Sequence, residues 1–353
     1  MSAATQIILQ FSHSRLWDGW SGERRAWGLC KAEVLRRLAP AELALAETTA
    51  EAAALARESA LLGYRRIIAA GGDAVIHGVV NGLMGLTPAH RQALQVGLFT
   101  LGFPGAFSRT LDLPTRLGRQ LDLLQAAHTL PCDVIRADFQ GMGGEPDTRY
   151  FLSGARIGGL GNRTGWADWE RAPTPKREAV ELARHLTPPP PAALRLEGEG
   201  VLLHEGPAPL VMVMGGRHYP GMGEVSPGAN QGDGLLDVAW LEGAGGLRRV
   251  SELLRVALPA PLGRGMRRWR SLEELRVSAA DGKALLELDR QPAGLLPVTF
   301  TVERRALPLI VESVAVRWRQ PMAALARNAS RGGFVGSVRR DGLPAEIRRV
   351  AGW

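Results

Sequence analysis

The residues best suited to chemistry in this 353-residue chain lie between positions 67 and 83, where Ile67-Ile68-Ala69-Ala70 runs into Gly71-Gly72-Asp73-Ala74 and then Val75 to Leu83. The apolar run reads as a buried strand, the Gly-Gly-Asp triplet as a tight turn, and the remainder as a helix. Unpaired backbone N–H groups at such a helix start, helped by the helix dipole, hold a phosphate without any charged side chain. A Gly-Gly pair before a helix is equally a plain connector, so the turn alone decides nothing.

The full stretch is more specific. Gly71, Gly72, Asp73, His77, Val79, Val80, Asn81, Gly82 and Leu83 follow the Gly-Gly-Asp-Gly to Val-Val-Asn-Gly-Leu signature, and the chain resembles the diacylglycerol kinase and sphingosine kinase family of lipid kinases. His77 leans towards the sphingosine and ceramide kinase branch. Ala74 stands for the third glycine of the signature, Gly78 for its Glu, and Val75 at a position held by Thr or an apolar residue. A second segment, Thr100 to Arg109, keeps Gly102, Phe107, Ser108, Arg109 and the following Leu111-Asp112-Leu113-Pro114 of the family's nucleotide-closing turn. There Phe103 replaces a Thr, Gly105 an Asn and Ala106 an Asp. A third, Gly215 to Val238, looks like the family's glycine-rich segment ending in Asp-Gly-x-Leu-Asp-Val. In bacterial relatives it can hold a structural Mg²⁺ through backbone carbonyls and the Asp of Asp-Gly, which maps to Asn230, Asp233 and Leu235; a glycine turn stabilised by Asp233 alone is the other reading. The fourth, Leu288-Asp289-Arg290-Gln291-Pro292-Ala293-Gly294, is similar to the family's Asp-Gly-Glu-Pro segment, whose carboxylates activate the lipid hydroxyl. Gln291 cannot accept a proton at neutral pH, which leaves Asp289 as the base. The resemblance thus implies Gly71, Gly72, Asp73, Ala74 and Gly102 at the nucleotide, Asp73 and Asp289 as catalytic residues, and ATP with Mg²⁺ as cofactors.

These segments need a scaffold of alternating strands and helices. Gln6 to Phe11 reads as a first strand and Glu23 to Leu38 as an amphipathic helix with Trp27, Val34, Leu35 and Leu38 on its apolar side. Between them only a final Ser-Gly of the family's Asn-Pro-x-Ser-Gly loop remains, and Trp17 and Trp20 read as packing on the neighbouring helix or capping the cleft. Leu43 to Glu47 is a second strand, and Thr48 to Glu51 has capping-box spacing before a helix to Leu62. Arg65 to Ala70, Val75 to Gly85, Val96 to Leu101 and Arg116 to Ala127 continue as strand, helix, strand and helix. Such β-α repeats predict a parallel sheet with its ligand crevice beyond the strand carboxyl ends. Strand-like segments follow at 132–139, 150–157, 272–278, 284–289, 298–304 and 308–318, with a charged helix to His185, a stiff run Pro188 to Pro191, and an amphipathic helix from Gly246 to Leu258. The expected fold is α/β: an N-terminal parallel-sheet domain (1–130) of lipid-kinase and NAD-kinase-like type, a β-rich, sandwich-like domain (131–316), and an Arg-rich tail (317–353).

Composition sets the outer bounds. The chain carries 43 basic against 35 acidic residues, a net charge of +8, and Lys31, Lys176 and Lys283 are its only lysines. Arginine suits phosphate and anionic lipid contacts because its guanidinium fork matches oxyanions. Cys30 and Cys132 are far apart in no metal-like spacing, and no export signal or spanning segment is visible, so a cytoplasmic location, peripheral to the membrane at most, is expected. The tail holds eight Arg against Asp341 and Glu346, which suits either a solvated end or an anionic membrane surface. No GxxxxGKS/T, HExxH, GxSxG or paired CxxC supports P-loop, zinc-protease, α/β-hydrolase or zinc-ribbon chemistry, and no nucleic-acid module accompanies the charge.

The function expected is therefore that of a protein acting on, or binding, a lipid alcohol or its phosphate. Polar losses at Gly78, Phe103, Gly105, Ala106 and Gln291 fall on the nucleotide cleft and point to phosphoryl transfer that is weakened or absent. An active kinase with an altered nucleotide pose and a membrane-surface scaffold are the alternatives, and a homodimer is left open.

Overall fold

The structure, a computed structural model, describes residues 6–11, 21–100, 105–158, 192–220, 224–242, 266–279 and 284–312. The expectations placed on Trp17, Trp20, Gly102, Phe103, the charged helix to His185, the proline run, the helix from Gly246 and the Arg-rich tail lie outside the described residues.

The first half alternates as the sequence predicts: β1 (Gln6–Phe11), α1 (Ser21–Arg37), β2 (Ala41–Ala46), α2 (Thr49–Leu61), β3 (Arg66–Ala70), α3 (Asp73–Met84), α4 (Pro88–Gln92), β4 (Gln95–Phe99), α5 (Ala106–Thr110) and α6 (Leu117–Ala126). Its strands are parallel in the order β2-β1-β3-β4. Ile67, Ile68, Ala69 and Ala70 of β3 are all buried because helices cover both faces of a parallel sheet. At the start of α2, Thr48 Oγ1 accepts from Glu51 N–H (3.1 Å), and the Glu51 carboxylate reaches back to Glu47 N–H (2.6 Å). This is the capping box with its return bond one residue early.

The second half is antiparallel: β5 (Thr129–Gln140), β6 (Pro146–Phe151), β7 (Gly154–Gly158), β8 (Ala193–Gly198), β9 (Val201–Pro207), β10 (Leu210–Met214), β11 (Leu236–Leu241), β12 (Met266–Leu272), β13 (Glu274–Ala279), β14 (Leu285–Leu288) and β15 (Gln291–Ile310). One flank runs β12-β11-β10-β7-β14-β15, the other β9-β8-β13-β15-β5-β6. Because both flanks share β15, the sheet curls over on itself and encloses Ile135, Phe151, Leu196, Val213, Val238, Leu275 and Phe300. The sandwich-like second half is this curled sheet.

Two segmentations differ from expectation. The apolar run from Tyr150 to Ile157 is two strands, broken at Leu152 and Ser153, and the two strands foreseen over 298–304 and 308–318 are one 20-residue strand ending at Ile310. Register shifts at Leu295/Thr299 and Glu303/Leu307 bend that strand without ending it. Its last residues return to the first half: Leu309 pairs with Val96 of β4, and Leu307, Leu309 and Ile310 join the same core as Ile68 and Leu83. The division at residue 130 is therefore crossed by β5 and β15. β8 to β12 were missed by sequence reasoning, although Leu194 and Leu196 of β8 alternate inward as a half-buried strand requires.

Helix α3, which carries the main motif, lies on α2 at backbone distance. A Cβ at Gly78 would come 2.7 Å from Thr49 O and 2.9 Å from Ala52 Cβ, and one at Gly82 would collide with the Ala53 carbonyl. Gly78, read from the sequence as a lost Glu, is thus a clearance residue that lets two helices touch. Gly82→Ala should lower the unfolding free energy by about 1–3 kcal/mol through overpacking. Gly118→Ala, whose Cβ would meet nothing within 4 Å, should cause no loss in the same urea titration.

Candidate functional site

The Gly71-Gly72 turn lies at the carboxyl end of β3, as a doubly covered parallel sheet requires for a ligand crevice. Gly71 adopts φ +152 while its N–H donates to Phe99 O (2.9 Å), a conformation that excludes a side chain. Gly72 is the N-cap of α3 with no side-chain cap, and among the described residues a Cβ on it would meet nothing within 4 Å. Among those residues the turn faces open space, with Asp73 and Ala74 in the first turn of a 12-residue helix behind it. Such an end suits an anion.

Asp73 turns away from that space. Its carboxylate accepts from Ala106 N–H (2.9 Å) and Phe107 N–H (3.4 Å), and so caps the start of α5. Burial, with the charge of Asp289 added, raises its pKa against these two donors and Arg109. A Cβ at Gly105 would collide with this carboxylate. Gly105 and Asp73 are thus one device, in which the missing side chain makes room for the cap.

Further along α3, His77 and Asn81 reach the second half. Asn81 Nδ2 donates to Tyr150 O (2.9 Å) and to His77 O (2.8 Å), while Tyr150 N–H donates to Asn81 Oδ1 (2.9 Å). Buried His77 places Nδ1 3.5 Å from Asp289 Oδ2. Asp289 is itself buried and accepts from three backbone N–H groups: Ser153 (2.9 Å) and Gly154 (3.1 Å) on Oδ1, and Leu152 (3.1 Å) on Oδ2. The strand break at Leu152-Ser153 supplies those donors.

Asp289 and Arg290 form the two-residue loop between β14 and β15, with φ +47 and +66 and Leu288 paired to Gln291. Positive φ at both loop residues belongs to tight hairpins that favour Asp-Gly, so Arg290 holds a glycine's place. Gln291 is half-buried at the start of β15.

Sequence reasoning missed the polar cluster behind this hairpin. Buried Glu287 accepts from the Tyr219 hydroxyl (2.5 Å) and from Arg156 Nη2 (2.6 Å). Burial first, then the Glu287 charge, pushes the Tyr219 hydroxyl well above its ordinary range. Glu287 was legible as the one charged residue in the apolar run Leu285-Leu286-Glu287-Leu288. A second crossing links α5 to the segment after β10. Arg217 Nη2 donates to Thr110 O (3.1 Å) and Asp112 Oδ2 (2.8 Å), and Thr110 Oγ1 accepts from His218 N–H (3.2 Å). Thr110 Oγ1 also lies 3.3 Å from His218 Nδ1. Burial, then the charges of Arg109 and Arg217, lowers the His218 pKa to about 4.

The third motif places Asn230, Asp233 and Leu235 in the turn before β11. Asn230 is exposed, Asp233 Oδ1 accepts from Leu235 N–H (3.1 Å), and Leu235 is half-buried. Beside them lies a cleft of about 400 Å³ lined by Asp133, Gly232, Asp233, Gly234, Arg304 and Arg305. A Cβ on Gly234 would stand 2.8 Å from Arg304 Cζ, so a guanidinium lies against the Asp-Gly turn. Among the described residues no group of three His, Cys, Asp or Glu side chains is arranged to hold a metal ion. Of the three residues Asp233 offers the one carboxylate, and its Oδ1 already accepts from Leu235 N–H.

Two measurements check this geometry. Asp289→Ala leaves three buried N–H groups without their acceptor and should cost at least about 3 kcal/mol of stability in chemical denaturation. His218 is neutral in the folded protein, and the unfolded chain binds the proton more readily. Its contribution should be full above about pH 6.5 and fall as the pH drops towards about 4, a slope that His218→Gln reduces in denaturation titrations across that range.

Comparison with known proteins agrees with the arrangement of these elements. Residues 17–137 match the diacylglycerol kinase catalytic domain family. The Bacillus subtilis (strain 168) diacylglycerol kinase is 29% identical over 256 residues, covering 69% of this chain and 77% of that protein. The Cronobacter sakazakii protein named "Probable lipid kinase YegS-like" is 30% identical over 199 residues, covering 56% of this chain and 63% of its own length. A diacylglycerol kinase structure from Bacillus anthracis str. Sterne shares the fold with a TM-score of 0.62 at 17% identity, over 88% of this chain and 98% of that one. Yeast NADH kinase does so with a TM-score of 0.52 at 13% identity, over 95% and 89%. The matched domain, the aligned relatives and the shared two-part fold agree in making the chain similar to diacylglycerol kinases and related lipid kinases.

Proposed function

We propose that this lipid-kinase-like protein holds a phosphorylated ligand, a nucleotide or a lipid phosphate, at the Gly71–Ala74 turn, and that its ATP-dependent transfer to a lipid alcohol is weakened or lost. The observation that carries the reading is the use made of its two motif carboxylates. Asp73 caps α5, and Asp289 is buried among three N–H groups and His77. A general base needs a lone pair within reach of the hydroxyl it deprotonates. Phosphoryl transfer depends on placement and charge around the phosphates and their metal. Carboxylates committed to backbone donors supply neither, and Gln291 does not replace them.

The turn itself keeps what an anion needs: a glycine at φ +152, a helix start without a side-chain cap and, among the described residues, open space above Gly72. This favours retained phosphate binding, and it is also the feature on which an active kinase with a shifted nucleotide would rely.

Calorimetric titration with ATP and Mg²⁺, paired with a labelled-ATP transfer assay on diacylglycerol in mixed micelles, separates the two. Weak binding that is lost in Gly72→Asp, with no transfer above the protein-free rate, is the expected result. Turnover of about 1–100 s⁻¹, the range of working kinases, would overturn the proposal in favour of the active enzyme.

A further inference from the structure

An arginine side chain lies against the Asp-Gly turn. β15 bulges where Glu303 pairs with Val134 and Leu307 with Cys132, so Arg304, Arg305 and Ala306 stand opposite the single residue Asp133. Asp133 is buried, and its carboxylate joins two segments: Oδ1 accepts from Arg305 N–H in the bulge (2.7 Å), and Oδ2 from Gly234 N–H in the turn (2.7 Å). The bulge aims Arg304 at that turn. Its guanidinium would crowd any Cβ placed on Gly234, which has φ +74, and its Nη2 also donates to Glu273 Oε1 (2.6 Å). Arg304 and Arg305 line one cleft with Asp133 and Asp233.

We propose that the Arg304 guanidinium is the resident cation of the Asp233-Gly234 turn, standing where the family resemblance implies a divalent ion, and that the junction of the two halves is therefore independent of metal. The chemistry is consistent. A guanidinium is planar, permanently charged and weakly hydrated, so it can lie on a glycine turn and neutralise nearby carboxylates without the several oxygen ligands a hard cation requires. It is tethered, so no ion concentration sets its occupancy. Gly234 is the residue that admits it, since both its left-handed φ and its missing Cβ are needed at that contact.

The test is thermal unfolding of the full chain in EDTA, in MgCl₂ and in CaCl₂, with Tb³⁺ luminescence as a direct probe of a cation site. A resident ion stabilises the fold by RT ln(1 + L/Kd), with L its free concentration, and so raises Tm with that concentration, whereas a tethered guanidinium does not. The wild-type Tm should move by less than about 1 °C between EDTA and either ion, with no saturable Tb³⁺ signal. Arg304→Ala should unfold at lower temperature than the wild type in EDTA, because the turn and Glu273 lose the guanidinium that lies against them. Arg304→Lys keeps one charge and should stay indifferent to the ions. A wild-type Tm that rises by several degrees in Mg²⁺ or Ca²⁺ would overturn the inference, as would an Arg304→Ala variant as stable in EDTA as the wild type. Should Arg304→Ala fail to fold, the wild-type and Arg304→Lys arms decide the question alone.

Discussion

A carboxylate buried in a protein interior must find donors, and much of this molecule's middle follows from that requirement at Asp289. Taking an unpaired charge out of water costs far more than one hydrogen bond returns, so several donors have to converge on it. Here they come from the chain break at Leu152 to Gly154, where three successive N–H groups point at one side chain. The break separates β6 from β7, and the left-handed β14–β15 loop holds the carboxylate over it. The Asp289 N–H in turn donates to Gly154 O (2.8 Å), closing the contact from the other side. His77 from α3 completes the surroundings and brings the first half of the molecule into them.

Seen from α3, the polar residues of the main motif are connectors. Asp73 ties the helix start to α5, His77 approaches the hairpin, and Asn81 satisfies both backbone groups of Tyr150 in β6. Glycines do the complementary work. Gly78 and Gly82 give α2 room, and Gly105 gives the Asp73 carboxylate room. Substitutions that look like erosion of a catalytic motif are thus coupled to the packing around them. Once Asp73 serves as a cap, position 105 cannot carry a side chain, and returning the family's Asn there would have to displace the cap.

The same economy governs charge elsewhere. Glu287 is neutralised by Arg156 and shared with the Tyr219 hydroxyl, while Asp133 is satisfied by two backbone donors with Arg304 and Arg305 beside it. Each buried acid between the halves has its partners within the protein. Low local polarity makes such satisfied clusters rigid and would make a half-satisfied one costly. A junction built this way is a fixed frame for a crevice, with the open Gly71-Gly72 turn at its edge.

Much of the architecture was legible in the residues. Apolar runs ending in glycine announced β3 and α3, Thr48 and Glu51 announced the start of α2, and four ordered motifs announced the family, because these signals are local and survive in a linear reading. The path of β15 was not, since the bulge at Arg304 to Ala306 looks in sequence like the end of one strand and the start of another, and only its pairing with β5 shows continuity. Nor was the part played by each site residue. Gly71 and Gly72 could be read as a phosphate turn because backbone conformation follows from residue type, whereas Asp73, Asp289 and Asp233 carry the same carboxylate whether it faces a ligand, a helix end or a turn. What faces a side chain is set by residues tens to hundreds of positions away, such as Ala106 for Asp73, Ser153 for Asp289 and Arg304 for the Asp233 turn. Residue type therefore determined the fold and the glycine turn, and long-range packing decided which carboxylates remained available for chemistry.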